Sequence, residues 1–489
     1  MRRVGFLPCL LAVLAGGLGL AAAWHYRASG LALSHYDAKA HLVVARRVFD
    51  SITPGWEQVG AVWLPLPHLL NTLPAQVDVL YRTGAAAILL SVLSGAVTAA
   101  ALAATVMRLT ASPAGAVVAA AVFTMNPSVL YLLSTPMTEP VLFALISLEV
   151  LLATEWVAAG RLDRSRALGW TMVLACLTRY EAWPVTGAVL GLSAWAWWRR
   201  GESLETLARV YSHLVLFPAG AVIGFMAFSR VTVGEWLVSG GFFVPDTELQ
   251  GRPWEVIARM SEGVEDLAGS VVVGSAKVAT AMLVVAALIW RRRAALVLPL
   301  GLLGAAALPF AAFVAGHPFR VRYQIPLLVG AALIVGTATG LTKRAAPIVG
   351  AILLVLVWRQ MDIFDPGSPM VLEAQSDLGA REGRRQVTAC LAEQYRSETI
   401  MASMGALAHY MHELSAAGFD VGDFLHEGNH PMWDSAYTRG PAPLVGWVLV
   451  EERAEGGDAL FQRAREFPRF LDGFERVCEG GNVALYRRR

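Results

Sequence analysis

Seven ionisable side chains stand inside, or at the ends of, stretches that are otherwise apolar: Asp37, Glu139, Arg179, Glu181, Lys277, Arg320 and Arg322. A charge beside hydrocarbon is costly, so one that a chain retains there is a functional residue by default. Arginine offers phosphate a bidentate, charge-assisted fork. A carboxylate near a reacting hydroxyl supplies a general base. Together they suit a substrate that carries a phosphate and an acceptor that must lose a proton. Arginine, lysine and tyrosine also anchor helices at a membrane interface by snorkelling. That accounts for any one basic residue, but not for carboxylates, which lack a long stem. His41, Tyr180 and Tyr323 flank these groups as supporting residues.

The elements that must position them are membrane helices. Of 489 residues, 56% are hydrophobic and only 16% charged, with a mean hydropathy of +0.51, which excludes an ordinary soluble protein. A net charge of +2 says nothing about partners; the useful signal is where Lys and Arg sit. With about 20 apolar residues needed per crossing, eleven spans are expected: 4–23, 84–107, 113–132, 139–158, 167–179, 184–198, 210–229, 270–290, 294–314, 324–342 and 345–360. Arg2-Arg3, Arg108, Arg161/Arg164/Arg166, Arg199-Arg200/Arg209, Arg291-Arg292-Arg293 and Lys343-Arg344 fall at alternate ends. The positive-inside rule then puts the N-terminus in the cytoplasm and the C-terminus outside. Met1 to Ala23 has the look of a signal peptide, but so many spans follow that a retained first helix is expected.

On this topology all the singled-out charges lie at the outer face, with Lys277 about two turns into its span. Three long pieces are also outer: 24–83, 230–269 and a tail from about 361. In the first, Ala38, His41/Leu42, Ala45, Val48/Phe49 and Ile52 recur at helical spacing, which predicts a helix on the membrane surface. The second, with Gly240-Gly241-Phe242-Phe243 and Pro245-Asp246, reads either as a mobile cover or as a plain connector. The tail has mixed charge, a helical pattern around Met401–Ala417 and strand-like runs at Leu444–Val450 and Asn482–Tyr486. Two domains follow: a membrane domain over 1–360 and a soluble α/β domain over 361–489. Cys390 and Cys478 are the tail's two cysteines, and an oxidising compartment would permit a disulfide between them. His409, His412, His426 and His430 fit no standard zinc spacing.

Taken in order, these features resemble the GT-C membrane glycosyltransferases, in particular the protein-mannosyltransferase-like and aminoarabinose-transferase-like enzymes that use polyprenyl-phosphate sugars. Asp37-Ala38-Lys39-Ala40-His41 looks like the family's acidic motif in the first outer loop, and Pro65-Leu66-Pro67 like its proline-rich segment. Thr138-Glu139-Pro140 looks like the motif that opens the fourth span, and Arg322-Tyr323-Gln324-Ile325-Pro326 like a late Arg-Tyr-x-x-Pro motif. The resemblance implies sugar transfer from the lipid carrier to a protein, lipid or glycan acceptor, with inversion. Asp37 and Glu139 would be the catalytic carboxylates, while Arg179, Arg320, Arg322 and Lys277 would hold the donor phosphate. The site would face outward in the cytoplasmic (inner) membrane, and no nucleotide or nucleic acid is implied. One departure stands out: the second acid of the family's usual pair is Ala38. A divalent metal stays an open cofactor, since Glu139 and Glu181 could be ligands, orienting groups or structural carboxylates. A transporter or flippase for a lipid-linked saccharide is the alternative; it should show repeats or broken helices.

Overall fold

In a computed structural model, residues 5–160, 162, 165–238, 245–453 and 456–489 are described. Each of the eleven expected spans is helical, and seven helices among the described residues are long and apolar enough to cross a membrane. A bent pair, Pro113–Thr124 and Pro127–Leu133, with 74° between the halves, is apolar enough to form either one broken span or a re-entrant loop. The bend has a local cause. Pro127 keeps Asn126 extended (φ −70°, ψ 124°), and the Asn126 side chain then caps the second half at Val129 N. The other expected spans are shorter helices, Arg166–Cys176, Ala182–Arg200 and Ala346–Gln360. This is a multi-pass membrane protein.

The chain forms two compact units that do not follow its order. One comprises Met1–Ala28, Ile88–Phe228 and Pro245–Leu372; the other comprises Ser29–Ala87, Ser229–Val244 and Glu373–Arg489. The loop after the first span thus belongs with the tail, across the boundary expected near residue 360.

In the first unit, small residues let helices touch. A Cβ on Gly115 would lie 2.5 Å from Gly336 O, and one on Gly304 would lie 2.8 Å from Pro184 O. These contacts bring the helix Pro326–Leu341 onto Pro113–Thr124, and Arg291–Val314 onto Ala182–Arg200, with the close backbone approach that membrane helices use in place of a hydrophobic drive.

The second unit is built on a five-stranded sheet: β1 (Ile400–Ala402), β2 (Phe424–Leu425), β3 (Trp447–Glu451), β4 (Phe474–Gly480) and β5 (Val483–Arg488), in the order β2-β1-β3-β5-β4. β1 pairs in parallel with β2 and β3, and β5 runs antiparallel to β3 and β4. The two strand-like runs of the sequence are β3 and β5; β1, β2 and β4 are too short or too polar to stand out. Cys390 and Cys478 form a disulfide that ties the helix Leu378–Gln394 to β4 across 88 residues.

The helix expected on the membrane surface exists as Tyr36–Arg46, but its apolar face has a protein partner. Leu42, Val43 and Ala45 are buried in one core with Leu407, Tyr410 and Met411 of the tail helix Met404–Leu414. Helical periodicity marks a face that must be covered; it does not say by what.

Candidate functional site

Three short segments of the first unit bring four charges together. Glu139 opens the helix Glu139–Ala159, where Pro140 suits the first turn and a carboxylate suits the helix dipole. Arg179 and Glu181 lie in the turn between the helices ending at Cys176 and beginning at Ala182, which Trp183 Nε1 braces by donating to Cys176 O at 2.9 Å. Arg322 lies in the short turn Val321–Gln324, just before the helix that Pro326 opens.

Arg179 is the hub. It approaches Glu139 Oε1 at 3.1 Å and donates to Glu181 Oε1 at 2.8 Å and to Thr138 Oγ1 at 2.9 Å. Arg322 Nε lies 3.6 Å from the same Glu139 oxygen. Glu139 is fully buried, and neither of its oxygens accepts a well-directed hydrogen bond among the described residues. Two guanidinium groups and two carboxylates sum to zero formal charge. Burying four such groups gains little stability over an apolar packing, so their presence calls for another reason. Two arginines converging on one anionic oxygen form an arrangement suited to an oxyanion such as phosphate.

Asp37 belongs to the second unit, in the first turn of Tyr36–Arg46, and is largely buried. Its N–H donates to His35 Nδ1 at 3.1 Å, which leaves the His35 proton on Nε2, 3.3 Å from Glu373. The helix that carries it is fixed at both ends. Lys39 Nζ lies 3.3 Å from Asp377 and 2.5 Å from Glu413, and Arg384 donates to both of these carboxylates at 2.7–2.9 Å. At the other end Arg46 reaches Asp50 at 2.6 Å, Asp78 at 2.7 Å and Asp420 at 3.2 Å. Burial pushes Glu413 up, but Arg384 and Lys39 outweigh it and bring its pKa down to about 2. His41 follows Asp37 by one turn, on the same helix face. His68 Nδ1 bonds Leu64 O at 3.1 Å, so its Nε2 accepts from His41 Nδ1 at 3.0 Å. Burial, then the charge of His41, holds His68 well below the usual histidine range.

The remaining expected residues lie elsewhere. Lys277 is exposed on Ser270–Ile289 with no ion-pair partner among the described residues. Arg320 is exposed. Tyr180 packs edge-on to Trp183, and Tyr323 lies against Phe313 and His317. Gly240-Gly241-Phe242-Phe243 fall outside the described residues. Of the tail histidines, His409 is 3.9 Å from Asp377, His412 Nε2 faces Tyr81 O at 3.1 Å, His426 is buried and His430 meets Asp434 at 2.7 Å. Among the described residues no three His, Cys, Asp or Glu side chains converge as a metal site.

Two groups escaped the sequence reading. Glu149 lies in mid-helix, fully buried, and accepts from Thr186 Oγ1 at 3.1 Å. Its signal was an acid ten residues into an apolar span. Gln324, inside the Arg-Tyr-x-x-Pro motif, is also fully buried; being neutral, it gave no signal. A groove of about 480 Å³ between Ala182–Arg200 and Leu204–Val233 is lined by Leu190, Trp195, Trp198, Leu207 and Tyr211 and holds no charged side chain.

This architecture is the GT-C-like fold that the sequence leads one to expect. The chain superposes on ArnT from Cupriavidus metallidurans bound to undecaprenyl phosphate with a TM-score of 0.59, over 97% of both chains and at 13% identity. The apo state of that protein gives 0.55 over 92% of both, at 12% identity. No protein-family model and no curated sequence matches the chain.

Proposed function

We propose that this protein is a membrane glycosyltransferase that moves a sugar from a polyprenyl-phosphate carrier to an acceptor hydroxyl on a protein, lipid or glycan, at the outer face of the cytoplasmic membrane. The observation that carries the reading is a fold shared over nearly its whole length with a protein that binds undecaprenyl phosphate, together with paired buried arginines in the same helical unit. The acceptor oxygen attacks the anomeric carbon, the bond from that carbon to the phosphate oxygen breaks, and the configuration inverts. Asp37 takes the hydroxyl proton as general base. Arg179 and Arg322 bind the phosphate and neutralise the charge that grows on it, a preorganised electrostatic contribution. Glu139 and Glu181 hold the two guanidinium groups in position. The comparisons lend no support to a flippase.

The test is direct. Purified protein is incubated with a panel of polyprenyl-phosphate pentoses and hexoses, and released sugar is followed for the wild type and for Asp37→Asn. The wild type should release sugar from at least one donor, and the variant should not. Equal release by both removes Asp37 from the chemistry; no release by the wild type from any donor sinks the proposed activity.

A further inference from the structure

Gln324 is fully buried, and neither its amide oxygen nor its amide nitrogen has a hydrogen-bond partner among the described residues. A buried carboxamide normally satisfies both ends, and one that satisfies neither needs an explanation. Because both ends are unpaired, the explanation does not depend on which way the amide is turned. The side chain lies two residues from Arg322, against the helix Pro253–Ala268. On that helix Gly263 leaves it room, since a Cβ there would stand 2.7 Å from Gln324 Nε2. The fold therefore keeps a polar group buried and unpaired, two residues along the chain from one of the two arginines that converge on Glu139.

The chemistry of the amide narrows what it would meet. Phosphate offers oxygen acceptors only, so it could satisfy the N–H₂ end while repelling the carbonyl end. A hydroxyl both donates and accepts, and two neighbouring hydroxyls on a sugar ring satisfy both ends of one amide. We infer that Gln324 hydrogen-bonds the sugar of the donor and sets specificity for it, while the arginines serve the phosphate. This rests on the proposed glycosyltransferase activity, and the experiment separates the two.

Wild type, Gln324→Leu and Gly263→Ala are purified as full chains and compared in two assays. The first is thermal stabilisation by sugar-free polyprenyl phosphate; the second is steady-state transfer from the polyprenyl-phosphate sugar that the wild type uses best. Leucine fills the site without a polar group, and the alanine methyl displaces the flexible end of Gln324 while also pressing on Phe319 and Val321 at 3.2 Å. Both variants should be stabilised by polyprenyl phosphate as the wild type is, and both should show KM for the glycosylated donor raised about tenfold, the scale of one to two lost hydrogen bonds. Unchanged KM in both variants overturns the inference, as does equal loss of the sugar-free lipid. A lower melting temperature with unchanged KM would reduce Gln324 to a packing residue and also overturn it. A wild type that neither transfers sugar nor responds to polyprenyl phosphate refutes the parent activity instead.

Discussion

Each compact unit buries a network of two cations and two carboxylates, and the two networks are finished differently. In the tail unit, Lys39, Arg384, Asp377 and Glu413 saturate one another: Arg384 alone makes four hydrogen bonds, to both carboxylates. In the helical unit, Arg179, Arg322, Glu139 and Glu181 are as deeply buried, yet both oxygens of Glu139 lack well-directed hydrogen bonds and the neighbouring Gln324 has none at all. Equal formal charge and equal burial thus mean different things. A saturated network fixes a shape. An unsaturated one retains donors and acceptors that a ligand can use.

The two can be broken separately. The largest effect is expected at the chemistry itself: Asp37→Asn should lower sugar transfer by about 10²–10⁴-fold, the usual worth of a general base, with the melting curve unmoved. Arg384→Ala removes four hydrogen bonds to Asp377 and Glu413 and leaves Lys39 as the cation between them, and should cost about 3–5 kcal/mol of tail-unit stability, measured by denaturant unfolding or protease resistance.

Acid should single out the tail network. Glu413 titrates near 2 in the fold against its ordinary value of 4.5, so its contribution is complete above about 4.5 and is lost as pH falls toward 2. That shift corresponds to about 3 kcal/mol. Burial, with Arg384 and Lys39, drives His409 down to about 3, and burial drives His412 down to about 4. Both histidines stabilise the fold while neutral, and begin to withdraw that stability as pH falls below about 6.5. Tail stability followed from pH 7 to pH 3 should therefore decline from the first step, and Glu413→Gln should flatten the part below 4.5. The smallest effect is expected from Arg322→Lys, which keeps the charge but loses the fork: affinity for polyprenyl phosphate should fall about tenfold, about 1.4 kcal/mol, with stability preserved. An equal fall in stability would make the helical-unit network as structural as that of the tail.

Much of this was legible before any fold. Hydropathy located all seven of the long apolar helices among the described residues, because a span must bury its backbone bonds over a fixed length of apolar residues. The cost of charge in such a chain singled out Glu139, Arg179, Glu181 and Arg322, and these four do meet. Lys39 and Arg384 were not legible, since on a helix in mixed sequence they look like ordinary surface charges. Glu149 was hidden by averaging over its span, and Gln324 by having no charge to penalise.

The sequence by itself determined a polytopic helical membrane protein with an α/β tail and a small set of charges kept where charge is expensive, because hydrophobic length and the price of desolvation are local properties. Only the tertiary structure decided that the helix bearing Asp37 packs into the tail, that Glu139 bridges two arginines from distant segments, and that Gln324 stays unpaired. Those outcomes depend on which faces find each other across hundreds of residues, and no local pattern encodes the partner.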